Sequence, residues 1–321
     1  MHQVWSRAAV VGLGLAVGAV FLVLAFRGTP PDAVWNVLKA GHWGLPPLIV
    51  LVGTGLFIYA KVARWSLLLG SPADISSAQL ARPVLAGLAL NSLIPHSGEF
   101  VRAVSLNRQT GRASAGVLSS IVAERVFDLF GVLLLGAFAL PCLPVTASLE
   151  ASVRLLGLVA AVLAACILLA LWAPQRVLAV AQLCARWLPV QPREWFLHQL
   201  TDALLGIAPV RSGVTALRVL GWSLVQWLAV ALAVWGCQRV IGFDAGLPAT
   251  LLVVVGIVVA FLLPNAPGYA GSVQIAFAVT LTPLHISSVS AIAASIVYQL
   301  LMVLPLVIVG LCCLRASLKS R

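Results

Sequence analysis

Residues 93–128 read LIPHSGEFVRAVSLNRQTGRASAGVLSSIVAERVFD. The stretch lies in a chain that is otherwise almost uniformly apolar. It nevertheless carries Glu99, Arg102, Glu124, Arg125 and Asp128. Pro95 and Gly98 interrupt its hydrophobic pattern just before the first carboxylate. An ionisable side chain at membrane depth costs roughly 2.5–3.5 kcal/mol on insertion scales. Charge kept at that cost, beside a helix break, marks the functional centre of a membrane protein that handles something charged.

The bulk composition sets the class. Of 321 residues, 61% are hydrophobic and 9% are charged, against about 25% charged in soluble domains. Mean hydropathy is +1.07. A chain this apolar cannot cover itself with a polar surface, so it reads as an all-α polytopic membrane protein. The net charge of +11 does not indicate nucleic acid, because no basic stripe interleaved with aromatics sits on a polar scaffold. The basic residues cluster between apolar runs, which is the pattern of cytoplasmic loops, and anionic lipid headgroups are the expected contact. Six cysteines without a CxxC pair and five scattered histidines give no disulfide framework and no metal set. No phosphate-binding loop, GxSxG or dinucleotide fingerprint occurs. No metal, no cofactor and no enzymatic activity are expected.

Worked outward from the opening stretch, the chain divides as follows. Val10–Phe26 is a first span, retained because no AxA-like cleavage site follows it. Residues 27–44 form a loop with a Pro30-Pro31 break and interfacial Trp35 and Trp43. Leu45–Leu69 is a second span whose Lys61, Arg64 and Trp65 snorkel to the basic side. Residues 78–112 pair two helices too short to cross, broken at Pro95 and Gly98 and basic at both ends. That predicts a re-entrant hairpin entering from the cytoplasm, since broken backbone survives at depth only when buried in protein or facing a wet cavity.

Ala115–Leu140 spans with Glu124, Arg125 and Asp128, and Pro141–Ser152 is external. Leu155–Trp172 returns inward, and residues 174–214 lie along the cytoplasmic interface as amphipathic helices. Leu217–Gln238 goes out. Residues 247–283 repeat the earlier anomaly, with an apolar run, the loop PNAPGYAG from Pro264, and a second run to Pro283. This predicts a second re-entrant hairpin, entering from outside. Ser287–Leu314 closes a single domain over residues 1–321, with about six full spans, two opposed hairpins and both termini in the cytoplasm of a bacterial inner membrane. Pro95 precedes Ser120-Ile121-Val122 much as Pro264 precedes Ser295-Ile296-Val297. That echo suggests an inverted repeat with broken helices at corresponding places, the pointer to a transporter site.

Two roles are open for the charges. Glu99 or Asp128 pairs with Arg125 and pins the hairpin to the next helix, or Arg102 and Arg125 receive an anionic headgroup while the carboxylates hold them in place. His96 beside the break is a hydrogen-bonding group or a base. The second hairpin offers Asn265, Tyr269, Gln274 and Gln299, with Gly268 and Gly271 permitting close approach of backbone.

The pattern P-x-x-G-E-x-x-R, then E-R-x-x-D, then P-x-x-P-G-x-x-G resembles the transmembrane region of the lysylphosphatidylglycerol synthase/flippase family over nearly the whole chain. Pro95, Gly98, Glu99, Arg102, Glu124, Arg125 and Asp128 carry the first part, and Pro264, Pro267, Gly268 and Gly271 the second. The prolines and glycines serve as hinges. The family usually has glutamate where this chain has Gln274 and arginine where it has Gln299; if the two touch, an amide pair replaces a salt bridge. The resemblance implies a lipid flippase-like transporter for an aminoacyl phospholipid, a lipid-linked glycan or a hopanoid-type lipid. Larger relatives add a soluble aminoacyl-transferase domain, for which these 321 residues leave no room, so synthase activity is not expected to carry over. The competing expectation is a non-transporting membrane partner of a lipid- or glycan-modifying enzyme.

Overall fold

The computed structural model describes residue 16 and residues 18–319, except 71–74, 95–96, 112–113, 144–157, 159–160, 163–164, 166–168, 170–171, 188, 207 and 262–265. The expectations for Pro95, His96, Pro264, Asn265, the external loop after Leu143 and most of the inward return lie outside these residues. Among the described residues the fold is entirely helical, with no strand. Three helices are long and apolar enough to span a bilayer: Pro46–Leu68, Gly213–Ile241 and the continuous helix Ser288–Arg315.

Helix α1 occupies 18–26. Helix α2 (Pro31–Lys39) falls where the sequence suggested a loop. Its cause is local: a proline at the first helical position, Asp32 in the first turn and Lys39 in the last, all of which favour a short helix. Helix α3 (Pro46–Leu68) runs antiparallel to the long helix α9 (Gly213–Ile241). Gly53 makes this close approach possible, since a Cβ there would lie 2.7 Å from the Ala229 carbonyl oxygen. The turn after α9 ends on Gly242 in the left-handed conformation. There Asp244 accepts from the Gly246 N–H at 2.9 Å and from the Trp235 indole at 3.3 Å, and these bonds hold its carboxyl below the usual range.

Helices α4 (Ser77–Leu93) and α5 (Ser97–Thr110) form an antiparallel pair. A capping box of Ser76 and Gln79 starts α4. The pair crosses at Gly87 and Gly98, where a Cβ on Gly98 would meet the Gly87 carbonyl oxygen at 2.0 Å. Helix α4 also lies against the final helix, with Gly310 seated on the Leu85 carbonyl. Helix α6 (Ser114–Ala139) follows. Helices α7 (Pro174–Ala185) and α8 (Val190–Gly206) are short, with α8 packed against α6. A second pair, α10 (Gly246–Phe261) and α11 (Ser272–Leu281), packs through Gly256 against Ala276 and Thr280. Helix α12 (Ser288–Tyr298) passes through a π-helical turn, Gln299–Val303, into α13 (Leu304–Lys319).

Two apolar cores result. One gathers α9 to α12 with Val132 and Leu135 of α6. The other gathers Val62, Trp65 and Leu68 of α3 with Leu80, Val84, Ala103, Leu106, Val117 and Ile121. On α6 the polar residues fall at the seam, after Ala123 of one core and before Val132 of the other. On α9, Ser223 and Gln226 fall between Val219 and Val230 in the same way.

Because a methyl on Gly98 has no room, Gly98→Ala should destabilise the protein by about 1–3 kcal/mol. Gly55, with open space around its Cβ position, is the control: Gly55→Ala should be neutral or stabilising. Unfolding in detergent micelles followed by tryptophan fluorescence reads both.

Candidate functional site

The site is a polar layer inside the bundle. Glu124 of α6, 1% exposed, is its hub. Its Oε1 accepts from Lys61 Nζ and faces Arg64 Nη2 at 2.9 Å, both from α3. Its Oε2 accepts from Arg102 Nη2 of α5 at 2.7 Å. One helical turn on, Asp128 Oδ1 accepts from Arg64 Nη1 at 2.6 Å and from Gln226 Nε2 of α9 at 2.9 Å. Arg64 also donates to Ser223 Oγ at 2.9 Å. The Arg102 guanidinium lies over the Trp65 ring, 4.2 Å from its centroid, a cation–π contact. The Trp65 indole is itself fixed by donating to Ser120 Oγ at 3.1 Å. Four helices thus meet in one ionic network.

The layer has one open edge. Arg125 of α6 points to the other side of Glu124, and its side chain is 48% exposed. It donates to Glu99 Oε1 of α5 and stands 3.9 Å from Asp128 Oδ2. Asn91 of α4 braces this edge. Its Oδ1 accepts from the Gly98 N–H at 2.7 Å and its amide donates to Glu99 at 3.3 Å. The second oxygen of Glu99 is buried without a hydrogen-bond partner among the described residues. Tyr269, from the loop after α10, reaches the same edge, where its turn packs against α4 beside Ser92. Among the described residues, the start of α5 and Tyr269 thus lie on the same edge as Glu99 and Arg125.

Tyr269 holds a left-handed backbone conformation, φ 59°, which costs a bulky residue energy and persists only where its surroundings enforce it. Its ring stacks on Phe261 at 4.0 Å. Gln299, where the π-turn begins, donates to the Gly268 carbonyl at 2.9 Å. Gln274 donates to Gln299 Oε1 at 2.6 Å and accepts from the Gly271 N–H at 2.8 Å. So Gln274 and Gln299 do touch, and they tie the second connecting loop down with neutral amides. Gly268 and Gly271 both have positive φ, and Gly271 lies against α1, where a Cβ would meet the Gly18 carbonyl at 2.6 Å. Pro267 starts the short 3-10 turn of that loop.

Of the residues singled out in the sequence, Glu99, Arg102, Glu124, Arg125 and Asp128 come together in this layer. Tyr269 joins its edge, and Gln274 and Gln299 lie behind Tyr269. One expectation is corrected. Lys61 and Arg64 do not snorkel to an interface: they are 5% and 0% exposed and supply two of the layer's four basic side chains. Trp65 is fully buried as well. Two carboxylates deep in the bundle outbid a headgroup for them. Asn91, Ser223 and Gln226 were also missed, although each is an uncharged polar residue within a largely apolar stretch of helix. Among the described residues no group of three or more histidines, cysteines or carboxylates is placed to hold a metal.

An all-helical, membrane-capable bundle with an ion network between two cores defines a polytopic membrane protein with an internal polar site. The chain belongs to the lysylphosphatidylglycerol synthase transmembrane-region family, whose model matches residues 11–310. No curated protein and no solved structure matches it.

Glu124→Gln would leave Lys61, Arg64 and Arg102 facing a neutral amide. Removing one partner of a buried charge set costs on the order of 3–5 kcal/mol. Glu99→Gln should cost clearly less, because Arg125 is half exposed. Comparing the unfolding midpoints of the two variants in one detergent tests the ranking.

Proposed function

We propose that this protein is a lipid flippase-like transporter that moves a lipid with a polar or charged headgroup between the leaflets of a bacterial inner membrane, without catalytic chemistry. The observation that carries the reading is the half-exposed Arg125, set at the meeting point of two helix pairs, in a layer whose described residues bring four basic side chains to three carboxylates. A planar guanidinium that is held from behind yet open in front suits a phosphate or carboxylate headgroup. Glu99, Arg102, Glu124 and Asp128 position it, while Tyr269 and the Gln274–Gln299 pair hold the opposing loop.

The two helix pairs serve as re-entrant hairpins from opposite faces, with both termini cytoplasmic. Helix lengths support this: α5 has 14 residues and α11 has 10, so at 1.5 Å per residue they span about 21 and 15 Å, short of the roughly 30 Å hydrocarbon core. Two internal correspondences support an inverted repeat. Glu99 links α5 to Arg125 on the next helix, 26 residues on, and Gln274 links α11 to Gln299, 25 residues on. Ser120 and Ser295 are each fully buried and each donate to the carbonyl three residues back, at 2.7 and 2.6 Å. The first cross-link is ionic and the second neutral, so the headgroup is bound mainly by the first half. Anionic lipids are the partners, recognised by Arg125 at the open edge.

In proteoliposomes, Arg125→Ala should slow translocation of a headgroup-labelled anionic phospholipid at least tenfold while the protein still inserts and remains monodisperse. An unchanged rate would contradict the proposal and favour a scaffold that holds a lipid-modifying enzyme.

A further inference from the structure

The charge count of the polar layer does not close. Among the described residues, Lys61, Arg64, Arg102 and Arg125 face Glu99, Glu124 and Asp128: four basic side chains against three carboxylates. Paired by geometry, Arg125 takes Glu99 and Arg64 takes Asp128. That leaves Glu124 with both Lys61 and Arg102, which are 5% and 3% exposed. One surplus positive charge is therefore buried at the hub, where an uncompensated ion is strongly disfavoured. The other described neighbours at the hub, Ser223, Gln226 and Trp65, bring no charge. Nor does Asn91 or Tyr269 at the open edge.

Two events can cancel the surplus: an anion enters, or a cation sheds a proton. Three of the four cations are arginines, which keep their protons inside proteins. Lysine is the cation that gives up a proton when buried. We propose that Lys61 couples anion binding to proton uptake: its side chain is the neutral amine while the layer is empty, and becomes the ammonium when a monoanionic phosphodiester or phosphate occupies the Arg125 edge. The balance is one for one. As the anion arrives, the Lys61 amine takes one proton from water, and the layer holds four cations, three carboxylates and one bound anion. On release of the anion the proton leaves. This rests on the reading of the layer as an anion site, and it gives that site a stoichiometry: one negative charge and one proton travel together.

The chain contains three lysines, Lys39, Lys61 and Lys319, so the side-chain state can be read directly. Protein labelled with ¹³C at lysine Cε, purified in a neutral maltoside detergent and stripped of anionic lipid, gives three resonances. The Lys61 resonance is the one absent from the Lys61→Met variant. At neutral pH it should sit at the amine position without ligand and move to the ammonium position on addition of dihexanoyl-phosphatidylglycerol, but not of the zwitterionic dihexanoyl-phosphatidylcholine. An ammonium resonance in the ligand-free protein overturns the proposal, and so does an amine resonance that neither the anionic lipid nor inorganic phosphate shifts. A shift with phosphate alone upholds the coupling and counts against the lipid reading, which separates the two failures.

Discussion

Everything in this bundle is arranged around the cost of ions away from water. Glu124 is almost completely buried and touches three basic side chains from two other helices. A buried ion pair rarely adds net stability over an apolar replacement, so the layer is not there to hold the protein together. Its effect is constraint: once Glu124 and Asp128 are in the interior, α3, α5 and α9 must each bring a polar group to the same level. The two apolar cores on either side of the layer supply the stability that the ions do not. Cores packed through Gly53, Gly98 and Gly310 allow backbones to approach closely, which is how helices associate where lipid competes for every apolar surface.

The layer is closed on one side and open on the other, and the difference is one residue wide. Arg125 follows Glu124 in sequence yet faces away from it, because successive helical residues are about 100° apart. The neighbouring hub thus locks α6 in place while Arg125 stays partly accessible. Asn91, which cannot change its charge, orients both the start of α5 and Glu99. Tyr269 completes the edge from a strained backbone that Gln299 and Phe261 hold in place. Strain of this kind, next to a π-turn, fits a part that has more than one arrangement.

Much of this was legible in the sequence. Helical class followed from composition. The helix pair at 77–110 was signalled by a proline and a glycine inside an apolar run, and the acidic and basic residues of α5 and α6 stood out against their surroundings. What could not be read was partnership. Lys61 and Arg64 lie near the end of an apolar helix, where cations ordinarily reach for headgroups, and their carboxylates are more than 60 residues away. Spacing along one helix reveals which residues share a face, not which helix that face meets. The better signal was a pair, Lys61 and Arg64, three apart and on one face, matched by Glu124 and Asp128, four apart on another. Helix α2 was missed for a different reason: Pro30-Pro31 reads as a break, whereas the second proline begins a helix.

The central claim is that this ion network lies within the bilayer, at the place where the two helix pairs meet. Electron cryomicroscopy of the protein in a lipid nanodisc measures that depth directly. The account predicts density for Glu124, Arg102 and Lys61 between the two headgroup layers, with the residues around Ser97 and Tyr269 beside them. A map that puts this cluster at headgroup level, or the two connecting loops in bulk water on one face, would contradict it.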